Sequence, residues 1–218
     1  MLRGTTGDAG YPIRSDFSKR DHQRMFKTIT DLGDSAFLIP ASALLIAYCF
    51  YLRASRAALI WVSTLALCAG LTIAMKIAFR ACGGEVPAFH VHSPSGHTSL
   101  STTFYSCFAL MIAVHEDRWA RLSILLTSNL LVAAIAVSRI VLEAHTVSEV
   151  IAGLLIGLCC VGWFAFRYLS CPPTPVFWQP VGVVLIALAL LTHGWHLDIE
   201  AMIGHIARLF RAIVPVCN

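Results

Sequence analysis

Three groups of residues in this chain of 218 residues have types and spacings that could do chemistry. The first is Ser93-Pro94-Ser95-Gly96-His97. A Ser/Gly turn that opens a helix aims backbone N–H groups at an anion, and the helix dipole adds to the attraction. His97, in the first turn, can give or take a proton near neutral pH. An ordinary helix cap by Ser93 or Ser95 explains the same residues and is compatible with anion binding. The second group runs from Ser138-Arg139 to His145 and Glu149. His145 and Glu149 are four apart and share a helical face. A carboxylate on one imidazole nitrogen fixes the tautomer and raises the basicity of the other, which makes a nucleophile or a base. Arg139 offers a planar fork that suits phosphate oxygens. An interfacial ion pair with a snorkelling arginine is the plainer account. The third group is Lys76 and Arg80, one helical turn apart. Two cations on one face attract an anion, or else they reach out to lipid headgroups.

The elements that must position these residues are membrane helices. Hydrophobic residues make up 57% of the chain and charged residues 13%, against about 45–50% and about 25% in soluble domains. That excludes a soluble globular enzyme, a disordered chain and a nucleic-acid binder. The net charge of +4 suits an anionic membrane surface or an anionic substrate. Six apolar segments are expected to cross the membrane, at 35–52, 57–79, 97–115, 119–142, 146–168 and 175–195. Each holds a charge-poor stretch about long enough for a hydrocarbon core of ~30 Å. Short connections make neighbouring helices antiparallel. Six crossings then put both termini and the 80–96 and 139–146 connections on one side, where all three polar groups gather. Gly153 and Gly157 form a small-xxx-small pair that lets another helix approach closely.

The fold class is therefore an all-α integral membrane protein of six helices, with interfacial helices at both termini. Residues 1–34 form a polar segment with six basic residues and five aspartates. Phe17, Met25, Phe26, Ile29 and Leu32 within it are spaced like one helical face. No secretory signal peptide is evident at its start. Residues 35–195 form the membrane domain. Residues 196–218 carry an amphipathic helix with Ile199, Met202, Ile203, Ile206, Leu209, Phe210 and Ile213 as its stripe. That helix fits the membrane interface, with a lid or a dimer contact as the alternative. Of the eight cysteines, five lie in apolar runs and fit neither a disulfide framework nor a CxxC zinc site. A Cys82–Cys217 bridge is conceivable but not expected.

Taken together, the motifs resemble the type 2 phosphatidic acid phosphatase superfamily of integral membrane lipid phosphatases. Pro94-Ser95-Gly96-His97 matches that family's second motif in full. Ser138-Arg139, five residues and His145 match its third. The resemblance covers roughly 57–168, the four-helix core. Two departures stand out. Glu149 replaces the aspartate that ends the third motif. In the first motif Lys76 fits, but the expected Arg-Pro falls on Gly83-Gly84, and Arg80 can supply the missing cation from one turn along the helix. The resemblance implies phosphoryl transfer from a lipid through a phosphohistidine. His145 is then the nucleophile, Glu149 orients it, and His97 protonates the leaving oxygen. Lys76, Arg80, Ser95, the Gly96 amide, Ser138 and Arg139 hold the phosphate. No metal or other cofactor is implied, and the expected partners are a lipid phosphate and the membrane lipids.

Rival readings use the same residues. His90, His92 and His97 could hold a metal. Ser95 with His145 could make a membrane serine protease, which leaves Lys76 and Arg139 without a purpose. A phosphotransferase using an acceptor other than water, a lipid-phosphate-binding relative or a transporter would also fit six helices, although transporters place polar residues nearer the midplane. The short connections opposite the site carry Arg53, Arg56, Arg118, Arg121 and Arg167, which puts them in the cytoplasm and the site outside. The bacterial inner membrane with a periplasmic site is the expected location.

Overall fold

A computed structural model describes residues 23–81, 93–170, 179–195, 197 and 199–213. All regular structure among them is helical. A short helix, α1, covers 23–31 and bends at 32–34 into α2, Ser35–Tyr51. Then follow α3 (Ser55–Ala81), α4 (Gly96–Ala113), α5 (Arg118–Val141), α6 (Val147–Leu169), α7 (Gln179–Thr192) and α8 (Ile199–Ile213). The first five expected apolar segments are helical over most of their length, and the sixth is helical over Gln179–Thr192, with 175–178 outside the described residues. The polar end of the chain is helical over 23–31, while Phe17 lies outside the described residues.

Four helical stretches are long and apolar enough to cross a membrane: Gln23–Tyr51, Ser55–Arg80, Arg118–Val141 and Val147–Leu169. The α4 helix is polar for a reason visible in its packing. It contacts α2, α3, α5 and α6, so its hydroxyls meet protein rather than lipid. Thr98, Ser99, Ser101, Thr102 and Thr103 are all buried. Thr102 and Thr103 donate to the carbonyls of Thr98 and Ser99, one turn back, at 2.6 and 2.9 Å. The Ser99 hydroxyl also pairs with Thr72 of α3 at 2.9 Å. Buried hydroxyls satisfied in this way carry little penalty, whereas the Ser101 hydroxyl is buried with no partner among the described residues.

The α4–α6 contact is tight because α6 has no side chain where α4 crosses it. A Cβ at Gly153 would lie 2.5 Å from the Ser95 carbonyl oxygen, and one at Gly157 would lie 2.6 Å from Thr102 Cβ. The expected small-residue approach is therefore present. About 12 Å further along α4, an aromatic core fills the bundle. Trp61 meets Phe104 and Phe164 edge to face at centroid distances of 5.4 and 6.1 Å. This core fixes α2, α3, α4 and α6 relative to one another and leaves the polar end of the bundle for the site.

The described cysteines (Cys49, Cys68, Cys107, Cys159 and Cys160) are free thiols. Cys82 and Cys217 lie outside the described residues, as do His90, His92 and the Gly83-Gly84 pair.

Candidate active site

The site is assembled from helix ends. The sequence opens α4 with Ser95, whose hydroxyl accepts from the Thr98 amide at 3.4 Å and from the Thr98 hydroxyl at 3.0 Å. Both expected roles of this turn remain compatible, since Gly96 begins the helix and first-turn amides have no intrahelical acceptor. Thr146 caps α6 with a capping box, and Glu149 is the reciprocal residue. The α5–α6 turn is closed by Glu143 in the left-handed region, φ 53°. The Ala144 and His145 amides both fold back on the Arg139 carbonyl, at 3.0 and 3.3 Å. That tight turn sets His145 above the start of α6.

His145 Nδ1 pairs with Glu149 Oε2 at 3.0 Å. The same oxygen accepts the Thr146 amide at 3.1 Å, and Oε1 accepts the Ser93 amide at 3.1 Å. The Ser95 amide in turn donates to the Glu149 carbonyl at 3.0 Å. Glu149 therefore ties the Ser93–His97 turn to the histidine it orients, with its side chain only 9% exposed. His145 keeps Nε2 on the side of the ring away from Glu149. Burial lowers the His145 pKa from its ordinary 6.5; the Glu149 hydrogen bond opposes this, and the charges of Lys76 and Arg139 add to the lowering.

His97 forms a second histidine–carboxylate pair. Its Nε2 lies 3.2 Å from Asp34 Oδ2, and Asp34 is the cap of α2. The α1–α2 bend is held over the site by the Tyr105 hydroxyl, which donates to the Leu32 carbonyl at 2.7 Å. Asp31 pairs with His193 at 3.0 Å at the end of α7. Neither Asp34 nor Asp31 was singled out in the sequence. Nothing distinguishes them there from the other aspartates of the first 34 residues, except that Asp34 precedes an apolar run as a helix cap would.

The cations converge on the same end. Lys76 is almost fully buried, at 1% exposure. It lies beside Gly96, where a Cβ would be 3.7 Å from Lys76 Nζ. Arg139 donates to the Thr30 hydroxyl at 3.2 Å, and its Nε is buried without a partner among the described residues, so donor capacity remains for an anion. Ser138 is buried, and its hydroxyl donates to the Ile135 carbonyl at 2.7 Å. Arg80 sits one turn beyond Lys76. Both pair with Glu200 of α8, Arg80 through Nη2 at 2.6 Å. Glu200 was also missed in the sequence, because the stripe that marks α8 is apolar and Glu200 lies off it. The side chains of Phe210 and Ile213 are outside the described residues.

A cavity of about 520 Å³ opens beside this end of the bundle. Its walls include Leu38, Ile46, Leu65, Leu100 and Phe104, and its polar end reaches Lys76, Gly96 and His97.

Helices apolar enough to span a membrane thus bring two histidine–carboxylate pairs, the buried Lys76 and the half-buried Arg139 to one end of the bundle. Residues 77–171 match the model of the PAP2 superfamily, the family that the motifs resemble. That region contains the Pro94–His97 and Ser138–Glu149 motifs and begins one residue after Lys76. It implies phosphatase-type activity on phosphate esters. The chain is also similar to an uncharacterized 22.5 kDa protein in the cps region of Klebsiella pneumoniae, with 29% identity over 187 residues, covering 84% of this chain and 90% of the relative. No solved structure matches.

Proposed function

We propose that the chain is an integral membrane lipid phosphatase that removes phosphate from a lipid phosphomonoester or diphosphate through a phosphohistidine on His145. The observation that carries this reading is the buried Glu149 carboxylate, which holds Nδ1 of His145 while Lys76 and Arg139 act on the same ring. In the first step His145 Nε2 attacks phosphorus and the bond to the lipid oxygen breaks. His97 gives that oxygen a proton. In the second step water attacks the phosphohistidine, loses a proton to His97 and releases inorganic phosphate. Lys76, Arg80, Arg139, Ser95, Ser138 and the Gly96 amide make up the phosphate site, although the Ser138 hydroxyl is already committed to Ile135. Fixed donors aimed at the transferring group account for much of such catalysis. No step requires a metal.

The cavity supports a lipid rather than a soluble ester. Its apolar walls run from the cations toward the middle of the bundle, where an acyl or isoprenoid chain would lose its contact with water. The candidates are a phospholipid, a polyprenyl diphosphate and a lipid A type phosphate. In this proposal residues 35–195 form the catalytic unit, and α4 and α7 cross the membrane as well, giving six spans. Polar α4 is shielded by its neighbours, and α7 extends about 21 Å. The site then faces the periplasm of a bacterial inner membrane, as the short arginine-bearing connections favour. A periplasm-active reporter fused after residue 218 should be active; an inactive fusion with intact expression refutes that orientation.

The deciding assay is phosphate release by the purified protein in detergent with EDTA, over a panel of lipid monophosphates and diphosphates. Release should survive chelation and disappear in His145→Ala. Turnover retained by that variant would rule out the phosphohistidine. Release that appears only when an alcohol acceptor is added would make the enzyme a phosphotransferase.

A further inference from the structure

Glu200 has the geometry of a phosphate stand-in. One of its carboxylate oxygens accepts from Lys76 Nζ and the other from Arg80 Nη2 at 2.6 Å. Arg80 Nη1 also donates to the Glu200 backbone carbonyl at 3.1 Å. Two oxygens on one centre thus bridge two cations, as two oxygens of a phosphate would. Arg139 lies within the field of the same carboxylate. A buried ammonium is costly without a counter-charge, and Lys76 is more deeply buried than any other cation named here. Glu200 supplies that charge.

The helix bearing Glu200 packs on α3 with Ile203 and Ala207 buried, while Ile206 and Leu209 are exposed. Leu197, Ile199, Met202 and Ile203 also line the apolar cavity. The α8 helix therefore closes both the anion site and the mouth of the cavity that leads from it.

We propose that Glu200 sets the phosphate affinity of this site by occupying the seat of the substrate phosphate, and that α8 is a lid which an arriving phosphate displaces. The proposal rests on the phosphatase reading for the identity of the anion. A phosphate brings about −1.5 to −2 charge against −1 from the carboxylate, so it wins the exchange on both cations. Between turnovers the carboxylate keeps Lys76 and Arg80 neutralised and excludes adventitious anions.

The test uses the full-length protein in detergent with inorganic phosphate as the probe. Calorimetric binding should be roughly 2- to 30-fold tighter in Glu200→Gln than in the wild type, the range expected when the two competing ion pairs to Lys76 and Arg80 are removed. In the wild type, phosphate should also accelerate backbone hydrogen exchange over 199–213. That second measurement needs no variant and remains decisive if Glu200→Gln misfolds. Equal or weaker phosphate binding by a folded Glu200→Gln would overturn the proposal, because Glu200 would then be a strut for the cations. So would unchanged exchange in α8 at saturating phosphate. Neither readout needs turnover. A protein that shows both effects but hydrolyses no lipid phosphate defeats the phosphatase reading and keeps the lid, whereas turnover without either effect defeats the lid alone.

Discussion

Glu149→Asp restores the residue that the PAP2 motif pattern expects, yet it should lower the proposed phosphatase activity. Three hydrogen bonds converge on the Glu149 carboxylate, from His145 at 3.0 Å and from the Thr146 and Ser93 amides at 3.1 Å each. Aspartate withdraws the carboxylate by one methylene, about 1.5 Å. Separations of 3.0–3.1 Å would grow well past the hydrogen-bonding range unless the backbone followed. The backbone is held by the Thr146 capping box and by the Ser95 amide on the Glu149 carbonyl, so it cannot follow all three donors. Losing one hydrogen bond to a charged group costs about 1.5–3 kcal/mol. If that bond is the one to His145, the loss falls on the nucleophile in the transition state, and kcat/KM should drop by roughly 10- to 150-fold. The assay is steady-state phosphate release from the best lipid of the panel, with thermal unfolding in detergent as the control for folding. A Glu149→Asp enzyme as active as the wild type would refute the argument, since the reach of glutamate would then be irrelevant to how His145 is held.

Gly153→Ala should be more harmful than its size suggests. Its Cβ would stand 2.5 Å from the Ser95 carbonyl oxygen, a backbone atom, so α4 and α6 must separate. Overpacking of this kind costs about 1–3 kcal/mol, visible as a lower unfolding temperature, and kcat should fall because the Ser93–His97 turn moves away from His145. An unchanged kcat and melting temperature would show that the two helices slide freely. In the proposed mechanism His145 attacks as the neutral imidazole, and burial lowers its pKa from 6.5, so the acid limb of the kcat/KM profile should lie below pH 6.5. The same shift makes the unfolded chain bind the proton first as pH falls, so stability declines below pH 6.5 until the folded pKa is passed. An acid limb centred above 6.5 would count against His145 as the group being titrated.

Much of this was legible in the chain because it is local. The i, i+4 spacing of His145 and Glu149 and the Ser95 cap involve neighbours in sequence, and backbone geometry alone brings them together. Apolar segments announce themselves through composition, and every expected helix is present. The crossing count was less legible, since α4 reads as only partly apolar. Its hydroxyls are affordable because other helices surround them, and that depends on packing.

Tertiary structure alone decided the partners of the cations and of the second histidine. Asp34 meets His97 across 63 positions, and Glu200 meets Lys76 across 124. No periodicity links residues so far apart. Their meeting depends on where the α1–α2 bend and α8 come to rest against the bundle, which is governed by shape and burial summed over many side chains. Gly153 and Gly157 stand between the two cases. Their spacing foretold a close approach, but only the packed structure shows that Gly153 meets the turn carrying Ser95 and that Gly157 meets Ser99 and Thr102 of α4. The residue types for the proposed phosphate chemistry were thus written locally, while their arrangement, and the carboxylate that rests on Lys76 and Arg80, came from the fold.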